Sequence, residues 1–134
     1  MAGALNINKQ KTFCLTEQVA LSDGVIFIAQ HPTTVLAASY VHATAGSDAG
    51  AVNVQLTKDT GTDAPGAGTD LLANNTNAGW NCKGTANTVE EAIFKTTAGI
   101  LSLSKGDRLS LDFAGTLTAL AGVTVTVWVA ADID

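Results

Sequence analysis

From Val123 to Val129 every second residue is valine, with Thr124, Thr126 and Trp128 between them. Only an extended strand, whose side chains alternate sides, puts all four valines on one face. A helix would scatter them around its circumference. The same period recurs upstream. Val52, Val54 and Leu56 oppose Asn53, Gln55 and Thr57, and Leu109, Leu111 and Phe113 oppose Arg108, Ser110 and Asp112. Across Ala51 to Lys58 this is the pattern of an antiparallel strand with one face on a core and one in water.

Other segments read as strands by composition. Thr12 to Thr16 is a short first strand. Val25-Ile26-Phe27-Ile28-Ala29 is continuously apolar after the turn signal Ser22-Asp23-Gly24, which predicts a strand buried on both faces and ended by Pro32. Val35 to Thr44 follows, and Trp80 and Cys82 share one side of a further short strand. Val89 to Phe94 is ambiguous. Thr88 with Glu91 fits a helix capping box, but the all-β surroundings favour a strand. Gly46 to Gly50 and Lys105-Gly106-Asp107 are turns, and Gly115 to Gly122 is a linking loop. About eight strands at this spacing predict an all-β, two-sheet antiparallel sandwich. The 134 residues suit one domain, here an extended N-terminal arm (1–12) followed by a single sandwich (13–134).

Charge narrows the function. Apolar residues are 46% and charged ones 14%, which argues for a packed domain rather than disorder. The net charge is −5, and Lys9 and Lys11 are the only close basic pair, so no nucleic-acid partner is expected. No apolar run approaches the ~20 residues that cross a bilayer, so no membrane is expected either. Residues 1 to 8 lack a basic region followed by an apolar core, so a secretory leader is not expected. In a reducing cytoplasm Cys14 and Cys82 are expected as free thiols packed like small hydrophobes.

Each motif that could carry chemistry has a plainer reading. The stretch from Asp59 to Asp70 is a loop, long enough to suspect a task beyond connection. Asp59-Thr60-Gly61 matches the core of the retroviral-type aspartic protease motif, but its flanks do not fit. Asp59, Asp63 and Asp70 fall where an EF-hand wants ligands, but Gly61 and Ala64 occupy the third and sixth places. Asp59, Asp63, Pro65 and Asp70 are therefore read as an exposed loop at one end of the sandwich, without metal. Gly66-Ala67-Gly68 is too short for a phosphate loop. His31 and His42 have no nearby His or Cys in sequence, and Asn74-Asn75-Thr76 is a glycosylation sequon only in a secreted chain. No catalytic residue and no cofactor is expected.

Trp128 lies on the threonine side of its strand, and Ile26 and Ile28 lie opposite Val25 and Phe27. Apolar groups on both faces imply that the second face is covered too, by the chain's own loops or by another subunit. Trp is enriched at interface centres. Trp128, Ile26 and Ile28 are thus the candidate oligomer interface.

Three stretches carry a family resemblance: Val41 to Gly50, Val54 to Gly68, and Gly106 to Phe113 running into Gly122 to Val127. They resemble small virion proteins of tailed bacteriophages and their prophages. The turn Lys105-Gly106-Asp107 leading into an alternating strand more loosely resembles trimeric jelly rolls of the tumour-necrosis-factor and complement type. The resemblance implies a jelly-roll-like sandwich and a structural, non-enzymatic role. It implies a head decoration protein that binds the phage major capsid protein as a homotrimer, assembled in the host cytoplasm and resident on the capsid surface. The alternatives are a neck, tail or fibre component, or a carbohydrate- or receptor-binding module using Trp80, Tyr40 or Trp128 to stack on a ring.

Overall fold

The alternating segments pair into two antiparallel sheets. The computed structural model describes residues 10–132. Its strands are β1 (Gln10–Gln18), β2 (Gly24–Ile28), β3 (Thr33–Val41), β4 (Asn53–Asp59), β5 (Thr69–Asp70), β6 (Trp80–Asn81), β7 (Glu90–Glu91), β8 (Ser102–Leu103), β9 (Arg108–Ala114) and β10 (Thr124–Asp132). One sheet has the order β1-β10-β3-β7, with β8 also on β3; the other has β2-β9-β4-β5, with β6 also on β4. The two-residue strands β5 and β6 lie at different points along β4, as β7 and β8 do along β3. Each couple acts as one interrupted strand. Merging them turns ten strands into eight, ordered 1-8-3-6 and 2-7-4-5, which is the connectivity of a jelly roll. The expected arm is outside the described residues up to Lys9, and its last three residues, Gln10 to Thr12, belong to β1.

The core lies between the sheets. Val123, Val125, Val127 and Val129 meet Leu109, Leu111, Val54 and Leu56, all at most 1% exposed. Burying each such side chain contributes about 1.5–3 kcal/mol. The valine period of β10 therefore does most to choose which side of this sheet faces inward.

Three expectations change. First, β4 has no wet face. Asn53, Gln55, Thr57 and Asp59 are at most 9% exposed. They are covered by the chain that leaves β4 and returns over its outer surface. Buried polar groups cost roughly 1–3 kcal/mol each if unpaired, so the cover must bring partners, and it does. Second, β2 is not buried on both faces. Its register with β9 slips between Val25 and Phe27, leaving Ile26 as a bulge. Ile26 and Phe27 pack against the core, while Val25 and Ile28 are 40% and 51% exposed. Third, the 89–94 segment is extended but pairs only at Glu90–Glu91 and through a bridge from Phe94 to Leu72. Val89 and Ile93 face outward and Phe94 packs on the core.

Candidate functional site

The chemically able side chains gather in three places. The first is an aromatic cluster inside the sandwich. β3 carries Tyr40, and His42 follows its last residue; Trp80 and Cys82 come from β6 and just beyond it. All four are at most 2% exposed. Tyr40 stacks on Trp80 with ring centres 5.6 Å apart and meets the edge of His42. His42 Nε2 lies 2.8 Å from the Gly84 carbonyl, which only accepts, so Nε2 donates. In the neutral ring Nδ1 then accepts from the Tyr40 hydroxyl, 2.8 Å away. Burial, the hydrogen bond with Cys82 and the Cys82 and Glu90 charges push the Tyr40 hydroxyl far above its ordinary range. Burial also pushes the Cys82 thiol up, opposed by the Tyr40 hydroxyl and aided by the Glu90 charge. A protonated, enclosed thiol is a poor nucleophile. The cluster is a packed polar chain that ties the 80–87 segment to β3.

The second place is the loop over β4. Asp59 is fully buried, which corrects its expected exposure. Ser110 Oγ donates to it at 2.5 Å, Thr57 Oγ1 at 3.1 Å, and the Gly66 and Gly68 amides at 3.1 and 3.0 Å. Burial alone would raise its carboxyl, but these donors outweigh burial and hold it below the usual carboxylate range. Gly68 is required there: a Cβ would collide with the Lys58 carbonyl. Asp63 and Pro65 are exposed and Asp70 is half-buried. Asp63 accepts from the Thr60 amide at 3.0 Å, and Arg108 donates to the Gly61 and Asp63 carbonyls. The loop lies folded over the outer surface of the second sheet, pinned by the Asp59 carboxylate that the protease and calcium motifs would need free.

Earlier on the same strand, Gln55 uses its whole amide on the same task. Nε2 donates to the Leu72 and Asn77 carbonyls, and Oε1 accepts from the Leu72 and Leu56 amides. This supports a turn at Asn74–Asn77 whose Asn75, Thr76 and Asn77 all have positive φ. Asn75 donates to Asn53 at 2.8 Å. Asn74 bridges to Glu91 and Ile93 through both ends of its amide.

The third place is the outer face of the first sheet. Trp128 stands there, 45% exposed, with Cys14 of β1 opposite on one side and Ala37 of β3 on the other. The β3–β10 register slips at this point and leaves Leu36 as a bulge beside Trp128, 49% exposed. Cys14 is exposed as a free thiol, not packed as expected, because it sits on an edge strand; free Cys82 is the buried one. Ile28 pairs with Arg108 and so lies on the outer face of the other sheet. Trp128 and Ile28 therefore face opposite ways, and Ile26 is turned into the core by its bulge. Leu36 was missed because a bulge is invisible to a period-two reading.

No family model matches the chain, and neither does any curated protein or solved structure.

Proposed function

We propose that this is a structural accessory protein of a phage virion: a head decoration protein that binds the major capsid protein and sits on the shell as a homotrimer. The observation that carries the reading is the Trp128, Leu36 and Cys14 face on a sandwich whose loops are tied down. Lys58, Lys83 and Arg108 all donate to backbone carbonyls, those of loops and of Ser102 in β8, at 2.9–3.5 Å. A shell protein needs a rigid domain and a surface that adheres, and this chain offers both. A three-fold ring joins two different patches of each subunit. Trp128 and Ile28, on opposite outer faces, supply two such patches. The resemblance to virion proteins supplies the particle.

Within the particle, a neck, tail or fibre position is the alternative. A sugar-binding role is weaker, since Tyr40 and Trp80 stack on each other in the core and leave only Trp128 for a ring. Antibody against the purified chain, applied to phage particles from cells that encode it, tests the assignment by gold labelling. Label over the heads is the expected result. Label confined to tails moves the protein to the alternative, and unlabelled particles overturn the virion reading.

A further inference from the structure

β1 is an edge strand. It pairs with β10 along all nine residues without a register slip, and among the described residues nothing pairs with its other side. It has no proline and no bulge, two of the devices that blunt an edge, and the charges it does carry, Lys11 and Glu17, are of opposite sign. Residues 11 to 14 and 16 to 18 are exposed, and Leu15 is only half-buried.

Its sequence is Gln10-Lys11-Thr12-Phe13-Cys14-Leu15-Thr16-Glu17-Gln18. Read from both ends toward Cys14, the positions match: Gln with Gln, Lys with Glu, Thr with Thr, Phe with Leu. An antiparallel pair of two such strands centred on Cys14 would set Lys11 against Glu17, Phe13 against Leu15 and Thr12 against Thr16, each pair occurring twice. Opposite charges and apolar pairs directly across antiparallel strands are stabilising.

The backbone permits this centring. The Val19 amide donates to the Val123 carbonyl, at 3.0 Å, where the β1–β10 register continues. Antiparallel bonding alternates along a strand. The odd residues of β1 therefore direct their backbone groups at β10, and Thr12, Cys14, Thr16 and Gln18 direct theirs at the free edge. A register centred on Cys14 places these even residues opposite one another, as hydrogen bonding demands. Lys11, Phe13, Leu15 and Glu17 then fall at the non-hydrogen-bonded positions, where facing side chains come closest.

We propose that β1 is a two-fold self-association edge, joining the first sheets of two copies into one continuous sheet through β1–β1 pairing centred on Cys14. The matched charges also select the arrangement. A parallel pairing would set Lys11 on Lys11 and Glu17 on Glu17, and a slip by two residues would break both ion pairs. Phe13, 41% exposed in the single chain, gains cover from Leu15 of the second copy. The contact uses the backbone edge of β1; Cys14 borders both it and the Trp128 face, while Trp128 and Leu36 stay open, so the pairing does not rest on the virion assignment.

Sedimentation of the full chain in reducing buffer, at tens of micromolar, tests it. The wild type is expected to form two-fold contacts, and Lys11→Glu and Glu17→Lys are each expected to weaken them at least tenfold. Both positions are exposed, so the fold is expected to be retained, with circular dichroism as the check. An equimolar mixture of the two variants is expected to restore association. One variant then presents an acid at both positions and the other a base at both, so every facing pair in a mixed contact is of opposite charge. The double variant Lys11→Glu/Glu17→Lys is expected to associate like the wild type. A wild type with no self-association, or one whose association ignores both charge reversals, overturns the proposal. So does a mixture no better than its parts. None of these outcomes alters whether the protein is found on phage heads.

Discussion

Asp59 shows how one carboxylate can replace a strand partner. Four donors from three parts of the chain converge on it. Asp59→Ala leaves two loop amides and two hydroxyls without their acceptor. The expected cost is about 3 kcal/mol, the scale of hydrogen bonds to a charged group, seen as a lower denaturant midpoint; an unchanged midpoint would refute the role. Asp112, nearby on β9, behaves in the opposite sense. Burial raises its carboxyl, and the Asp23 and Asp70 charges, a hydrogen bond with Asp23 and the Asp59 charge add to the rise. The folded chain therefore holds a proton that the unfolded chain releases from about pH 3.9. Stability falls as pH rises from that value through the higher folded one. Asp112→Asn is expected to raise the melting temperature near neutral pH and to lose that gain below the carboxylate range. A gain that persists in acid would show another cause. Neither environment was readable from composition: Asp59 and Asp112 both sit at polar positions of alternating strands, and only the loop folded over them separates their fates.

At the scale of the element, β4 is the instructive strand. Its inner face follows the alternation, but its outer face is a row of sockets for the segments 59–70 and 72–77. The left-handed turn at Asn74–Asn77 is the costliest piece. Asn tolerates positive φ, but Thr76 is β-branched and has φ 55°. Such a residue costs roughly 1–2 kcal/mol there. Thr76 is exposed, so Thr76→Asn removes strain without touching a core contact. An increase of ~1 kcal/mol in unfolding free energy, with an unchanged denaturant slope, is the expected outcome. A destabilised variant would mean that the threonine makes a contact the turn depends on. The bulges at Ile26 and Leu36 belong to this scale as well. Each shifts the phase of a strand by one residue and so decides which apolar side chain is exposed.

For the whole molecule, stability and assembly should separate at Trp128. It lies outside the core, so Trp128→Thr is expected to change monomer stability by no more than about 0.5 kcal/mol. The same change is expected to weaken three-fold association by about 2 kcal/mol per contact, close to thirtyfold. Thermal melts and sedimentation on one preparation make the comparison. An association constant equal to the wild type's would remove Trp128 from the proposed three-fold contact. Lost thermal stability in a monomer would instead assign Trp128 a packing role within the chain.

The alternation of valine with threonine in β10, and of leucine with polar residues in β9, was enough to determine an antiparallel sandwich. Period-two burial has few other solutions, and the two sheets follow it. The near-palindrome of β1 is also present in the sequence. It acquires meaning only when the strand's limits and its place at a sheet edge are known. Tertiary structure decided everything that depends on which residues cover which. It buried the polar face of β4, enclosed Asp59, paired Tyr40 with Trp80 and left Cys14 and Trp128 outside. Those outcomes arise from contacts between segments far apart in the chain, and local patterns carry no record of what will lie above them.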